Sequence, residues 1–265
     1  MDLRLLKQLR IIAVFFIFLL VIFIAIYFVS RPQLSCFDNI ENQGEEGVDC
    51  GGPCELPCVL DIPDSPIVNW SNFFRKTDDL YELVAKVRNV NNNYGSSAVK
   101  YKFIAKDREN NVIAEIPGMT FLSPGQTRYI LKSGATLPSG TDSVGFVVDE
   151  EIDWRKTPNR LEGDDFKVFD KKLTILKDEQ FYAKVSGIVI NQTSYDFKEV
   201  EVDAVLFNKE SDAVTAGKTS LKDLKSGQER EFNIYWREKI NSDFNIDVIP
   251  QTNFFENSNY VQNLN

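Results

Sequence analysis

The sequence predicts a mainly β protein: one N-terminal transmembrane helix, a small disulfide-rich module, then two tandem antiparallel β-sandwiches. Three observations predict it. Nineteen consecutive residues without a charge, glycine or proline stand near the front, and all four cysteines crowd into one acidic stretch behind them. Beyond Cys58 the chain alternates apolar and polar residues in short runs, and the pattern returns about 102 residues later. At 43% hydrophobic and 26% charged, the composition is that of a folded chain.

The apolar run covers residues 11–29, IIAVFFIFLLVIFIAIYFV. At 1.5 Å per residue such a helix is roughly 28 Å long, close to the ~30 Å hydrocarbon core of a bilayer. Arg4, Lys7 and Arg10 precede it, with only Asp2 against them, and Arg31 alone follows closely. The positive-inside rule then keeps residues 1–10 cytoplasmic and sends the rest outward, as a single-pass protein of the cell membrane. A cleavable signal peptide would have a shorter apolar region and small residues at its end, neither of which is present. A lipobox ending Leu34-Ser35-Cys36 fails at Gln33 and is cut off from the apolar run by Arg31-Pro32. The expectation is an uncleaved signal anchor.

Residues 36–58 hold Cys36, Cys50, Cys54 and Cys58. On the oxidising side of a membrane an even, tight cluster reads as two disulfides, with three pairings open. An all-thiolate zinc site is the competing reading, opposed by the compartment and by the wide spacing from Cys36 to Cys50. The stretch carries Asp38, Glu41, Glu45, Glu46, Asp49 and Glu55 and no Lys or Arg. Such a loop must splay its acids into water or neutralise them with a cation, and oxygen ligands on a glycine-containing loop suit Ca²⁺. The run Cys36-x-Asp38…Asn42-x-x-Glu45-x-x-Val48-Asp49-Cys50-Gly51-Gly52-x-Cys54 resembles a cysteine-rich motif repeated in many bacterial surface proteins. Asn39 stands where that motif has Gly, and the last two cysteines are one residue further apart than is common. The resemblance implies an extracytoplasmic module, often beside adhesive β-domains. Two readings of its acids stand side by side: a weak Ca²⁺ site on Asp38, Asn42, Glu45 and Asp49, or a solvated loop held by disulfides alone.

After a proline-punctuated join come two blocks of alternation, residues 66–156 and 165–256, then a polar tail, 257–265, in a C-terminal stretch expected to fray. Leu83-x-Ala85-x-Val87-x-Asn89 returns as Val185-x-Gly187-x-Val189-x-Asn191. Val99-x-Tyr101-x-Phe103-x-Ala105 returns as Val200-x-Val202-x-Ala204-x-Leu206. Leu122-Ser123-Pro124-Gly125-Gln126 returns as Leu224-Lys225-Ser226-Gly227-Gln228. Val144-x-Phe146-x-Val148 is matched with Phe244-x-Ile246-x-Val248, and Trp154 with Phe254. Ordered matches of this kind indicate an internal duplication. Each block has the length of an immunoglobulin-like sandwich of about seven strands. The second resembles the FxLYD-type domain of bacterial envelope proteins, through Val185-x-Gly187-x-Val189-x-Asn191, the strand ending Leu206-Phe207-Asn208, and Leu224-x-x-Gly227-Gln228 before Phe232. The first departs from it, with no Gly at position 85.

Function classes narrow by what the chain lacks. With no histidine there is no Ser-His or Cys-His pair and no imidazole metal site. A net charge of −9 argues against nucleic acid. G-x-S-x-G and glycine-rich phosphate loops are absent, so a non-enzymatic protein is expected, without catalytic residues or an organic cofactor. Glu150, Glu151, Asp153, Asp164 and Asp165 read as a solvated connection and not as paired catalytic acids. Asn89 and Asn191 read as turn formers, and Trp70, Trp154 and Trp236 as core or inter-domain packing. Asn69-Trp70-Ser71 and Asn191-Gln192-Thr193 are formal glycosylation acceptors whose modification the bacterial-looking motifs argue against. The expected function is a membrane-anchored interaction or structural module with an envelope or surface protein partner. A surface adhesin or carbohydrate-binding module is the alternative, and a carboxylate-dependent hydrolase ranks last.

Overall fold

The computed structural model describes residues 3–29, 36–42, 44–54, 56, 58, 63–76, 79–157, 165–176, 180–240, 243–256 and 258–262. The chain divides into two compact units, Met1–Ile62 and Pro63–Asn265. Helix α1, Leu3–Val29, opens the first. It takes in most of the stretch set aside as a cytoplasmic terminus, because Leu, Arg, Lys and Gln between positions 3 and 10 are all strong helix formers. From Ile12 to Tyr27 the apolar side chains are exposed on every face. Among the described residues no helix meets both the length and the hydropathy of a membrane crossing, and the side chains described in α1 fall between Arg10 and Tyr27, short of the whole helix.

The second unit is mainly β. Its first lobe runs β1 (Ile67–Arg75), β2 (Tyr81–Arg88), β3 (Tyr94–Lys106), β4 (Val112–Leu122), β5 (Thr127–Ala135), β6 (Ser143–Val148) and β7 (Arg155–Lys156). The strands form two antiparallel sheets, ordered β1-β2-β5 and β4-β3-β6, with β7 continuing the β6 edge along β3. The second lobe repeats this strand for strand: β8 (Phe166–Ile175), β9 (Ala183–Asn191), β10 (Tyr195–Phe207), β11 (Ala213–Leu224), β12 (Glu229–Trp236), β13 (Asn245–Gln251) and β14 (Tyr260–Gln262). Its sheets are β8-β9-β12 and β11-β10-β13, with β14 on β10. Alternation decides which side chains meet between the two sheets of a lobe. Leu83, Ala85, Val87, Val99, Tyr101, Phe103, Ala105 and Ile130 form the first core, and Val185, Val189, Val200, Val202, Ala204, Leu206, Phe232 and Trp236 the second.

Two details of the repeat differ from the sequence alignment. Phe103 pairs with Phe146, and its counterpart Ala204 pairs with Val248, so Phe146 corresponds to Val248 and not to Ile246. A period-2 pattern slipped by two residues keeps every side chain on the same face, so alternation alone could not choose. Likewise Trp154, just ahead of β7, corresponds to Tyr260 at the start of β14. The C-terminal stretch expected to fray thus holds a strand. It is tied down by Tyr260, which stacks on Phe254 at 4.6 Å, and by Asn259, whose amide donates to Glu199 O and Thr252 Oγ1.

Candidate functional site

In the cysteine-rich module the pairing is Cys36–Cys54 and Cys50–Cys58, two interlocked loops. Chain entropy alone makes each worth about 3 kcal/mol. No thiolate is left for zinc, and the cluster of Cys36, Cys54 and Glu45 is therefore not a metal site of that kind. The proposed Ca²⁺ residues do come together, but their carboxylates mostly accept from the loop's own backbone. Asp49 accepts from Asp38 N–H (2.9 Å) and Asn39 N–H (3.0 Å). Glu45 Oε2 accepts from Asn42 N–H and Asp49 N–H, both 3.3 Å. Asp38 accepts from Ile40 N–H (3.0 Å) and from the Asn42 amide (3.2 Å). Asn39 sits at φ 58°, the left-handed conformation that glycine would otherwise supply. Gly52 at φ 54° is held by space as well, since a Cβ there would lie 2.1 Å from Gly44 O. Glu55 lies outside the described residues. Exposed Phe37, Ile40, Val48 and Leu56 complete the module's surface.

The most elaborately built place in the second unit was not among the predicted sites. The outer face of sheet β1-β2-β5 in the first lobe packs on the outer face of β11-β10-β13 in the second. Val84, Tyr129, Leu131, Val205 and Ala216 are buried there, with Trp70, Phe74, Phe207 and Ile249 around them. Trp70 meets Tyr129 at 5.8 Å and Phe207 at 6.0 Å. Polar groups cross the same junction. Tyr129 Oη donates to Asp247 Oδ2 at 2.6 Å, Lys86 Nζ lies 3.3 Å from the same oxygen, and Arg128 Nη2 lies 3.5 Å from Glu201. Gln251 Nε2 donates both to Asp203 and to Tyr129 O, and Lys76 pairs with Glu238 while donating to Thr215 Oγ1 and Ala216 O.

Burial shifts the ionisation of these groups. It pushes the Tyr129 hydroxyl up, aided by its bond to Asp247, and raises the Glu82 carboxyl, which accepts from Ser133 Oγ at 2.9 Å. It lowers the Arg128 guanidinium. Asp203, 2% exposed, is raised to about 7 by the same loss of solvent. Sequence reasoning missed Glu82, Arg128, Asp203 and Gln251 because charged and amide side chains are ordinarily read as solvated. A signal was present: Leu83-Val84-Ala85, Tyr129-Ile130-Leu131 and Ala204-Val205-Leu206-Phe207 are unbroken apolar runs, which mark strands buried on both faces.

Asn89 and Asn191 form the turns after β2 and β9, their Oδ1 atoms accepting from Asn91 N–H (3.0 Å) and Thr193 N–H (3.1 Å), and both are fully buried clips. Asn89 donates to Tyr94 O (2.7 Å) and Ser123 O (3.0 Å), and Asn191 to Tyr195 O (2.7 Å) and Leu224 O (3.3 Å). Each ties the turn after β2 or β9 to the end of β4 or β11. The Asn191 acceptor sequence is thereby hidden in the folded chain. Trp236 is buried in the second core, Trp154 packs on the first, and Trp70 is in the junction. Glu150, Glu151 and Asp153 are exposed, and Asp164 lies outside the described residues. Two of the second unit's clefts lie between the lobes. One, of about 450 Å³, is lined by Gln126, Thr127, Asp165, Lys171 and Gln251; the other, of about 380 Å³, by Phe73, Phe74, Thr215, Glu238 and Phe244. No family model matches the chain, and no curated protein matches it.

Proposed function

We propose that the chain is a non-enzymatic, single-pass membrane protein whose two lobes, immunoglobulin-like sandwiches of the FxLYD type, serve outside the cytoplasm as an interaction or structural module. The observation that carries this reading is the junction. Two complete lobes joined sheet face to sheet face through an apolar centre and crossing polar bonds make one continuous presenting surface, not two beads on a string. The anchor reading rests on α1, whose apolar side chains point outward all round, an arrangement suited to lipid and costly in water. The disulfides suit the oxidising side of the membrane. The β4 edge and the turns at the lobe ends are what a partner would meet.

The test is crosslinking of the full-length protein in its cell, followed by mass spectrometry of what stays attached through detergent. One envelope protein captured in fixed proportion supports the reading; recovery of the chain alone counts against it. For the module we propose that the acids serve chiefly to cap backbone N–H groups, which leaves Ca²⁺ at most a weak ligand of Asp38, Asn42, Glu45 and Asp49. Melting that is the same in millimolar Ca²⁺ and in chelator supports capping, whereas a rise with Ca²⁺ restores the metal site.

A further inference from the structure

We propose that the junction between the lobes is a proton-operated clasp: Asp203 holds a proton there when the lobes are closed on each other, and giving it up loosens the contact of β5 with β10 and β13. The geometry is short of donors. Asp203 is 2% exposed and Gln251 3%, and a single Gln251 amide nitrogen serves both the Asp203 carboxylate and the carbonyl of Tyr129 across the junction. Asp203 Oδ1 and Gln251 Oε1 are both buried acceptors without a partner among the described residues. A buried cluster with two acceptors left over, and both hydrogens of the amide nitrogen already committed, is relieved by one more hydrogen, and a proton on Asp203 supplies it.

The groups around Asp203 and its neighbours Tyr129 and Gln251 come from every strand packed on them. Arg128 and Tyr129 are on β5, Glu82 and Lys86 on β2, Glu201 on its own β10, Lys218 on β11, and Asp247 and Gln251 on β13. Arg128 and, less strongly, Lys218 favour the charged form, but Arg128 also faces Glu201, and Glu201 and Glu82 oppose that form. Burial outweighs these, and the closed state keeps the proton up to about pH 7. An Asp203 freed into water ionises in the ordinary range near 3.8. A raised carboxyl therefore stabilises the closed junction fully below that range. The contribution drains away as pH rises through about 7 and changes no further above it. Glu82, raised for the same reason, adds in the same direction.

The experiment is amide hydrogen exchange on the full-length chain in detergent at about pH 5.5 and about pH 8, corrected for intrinsic exchange chemistry. In the wild type, protection in β5 and β10 is expected to fall at the higher pH by on the order of tenfold. Asp203→Asn, which imitates the protonated acid, is expected to keep the low-pH protection at both. Equal wild-type protection at the two pH values overturns the proposal, and so does an Asn variant that retains the wild-type fall. If the variant does not fold, infrared spectroscopy of the wild type decides. A protonated carboxyl band that moves with isotope-labelled aspartate and vanishes near neutral pH supports the clasp. Aspartates all ionised by about pH 5.5 end it.

Discussion

The two lobes share one strand order and one pair of asparagine clips, yet they fill their interiors from opposite sheets. In the first lobe the bulk stands on β3 and β6, where Phe103 meets Phe146 at 4.9 Å and Tyr101 stacks on Phe146 at 5.1 Å. The matching rung of the second lobe holds Ala204 beside Val248. There the bulk comes from β12. Phe232 stands opposite Gly187 where the first lobe has Ile130 opposite Ala85, and Trp236 opposite Ala183 where the first has Ala135 opposite Tyr81. Neighbouring rungs compensate: Ala204 pairs with Gly217, which a Cβ would bring to 2.8 Å from Ile234, whereas Phe103 pairs with Ile116. The lesson is that such a frame fixes directions and distances, while bulk missing from one sheet of a core is supplied from the other.

The largest expected effect follows directly. Trp236→Ala removes the side chain that fills the space left by Ala183 and Gly217, and also the Nε1 donor to Thr215 and Ala216. A loss of about 3–5 kcal/mol is expected in chemical denaturation of the full-length chain. Phe103→Ala should cost the first lobe a similar amount. A loss below ~1 kcal/mol from Trp236→Ala would mean that bulk on β12 is not what fills the second core.

Gly187→Ala probes the exchange itself. The new Cβ would lie 2.7 Å from the Phe232 ring and 3.2 Å from Phe169 O, an overpacked site costing about 1–3 kcal/mol. Adding Phe232→Ile rebuilds the rung found in the first lobe and should recover most of the loss. Failure of that double variant to recover would show that the two cores are not interchangeable rung by rung.

The clips should behave alike where the cores do not. Asn89→Ala and Asn191→Ala each remove two donors and one acceptor from buried backbone partners, at about 1–3 kcal/mol apiece. Hydrogen exchange should show the loosening at the β2–β3 and β9–β10 turns respectively. If one variant is silent, the clip is structural in only one lobe.

How much of this was legible follows from the same physics. Alternation marked nearly every inward residue of β2, β3, β9 and β10, because burial on one face forces a period of two. It could not place β13 to better than two residues, nor show that Asn89 and Asn191 point inward, since asparagine is as common in an exposed turn. The disulfides were legible as a pair and not as a pairing. The junction was least legible: its polar members lie far apart in the chain, from Glu82 to Gln251, and only the unbroken apolar runs beside them betray a second buried face.

Position 102 and position 203 make the last comparison, and the smallest effect. Lys102 follows Tyr101 on β3 as Asp203 follows Val202 on β10, so both leave the outward face of matching sheets. In the second lobe that face is covered by the first, and Asp203 is buried. In the first lobe the face is open, and Lys102 makes only a solvated pair with Glu115 at 2.9 Å, with the two side chains 44% and 50% exposed. Exposed pairs contribute little, because water screens them and ordering two long side chains opposes the attraction. Lys102→Ala should leave the melting midpoint within experimental scatter. Asp203→Ala, by contrast, leaves one N–H of the buried Gln251 amide without its acceptor and should shift the midpoint clearly. A clear shift from Lys102→Ala would mean that the open face of β4-β3-β6 is covered in the working protein, as its counterpart in the second lobe is.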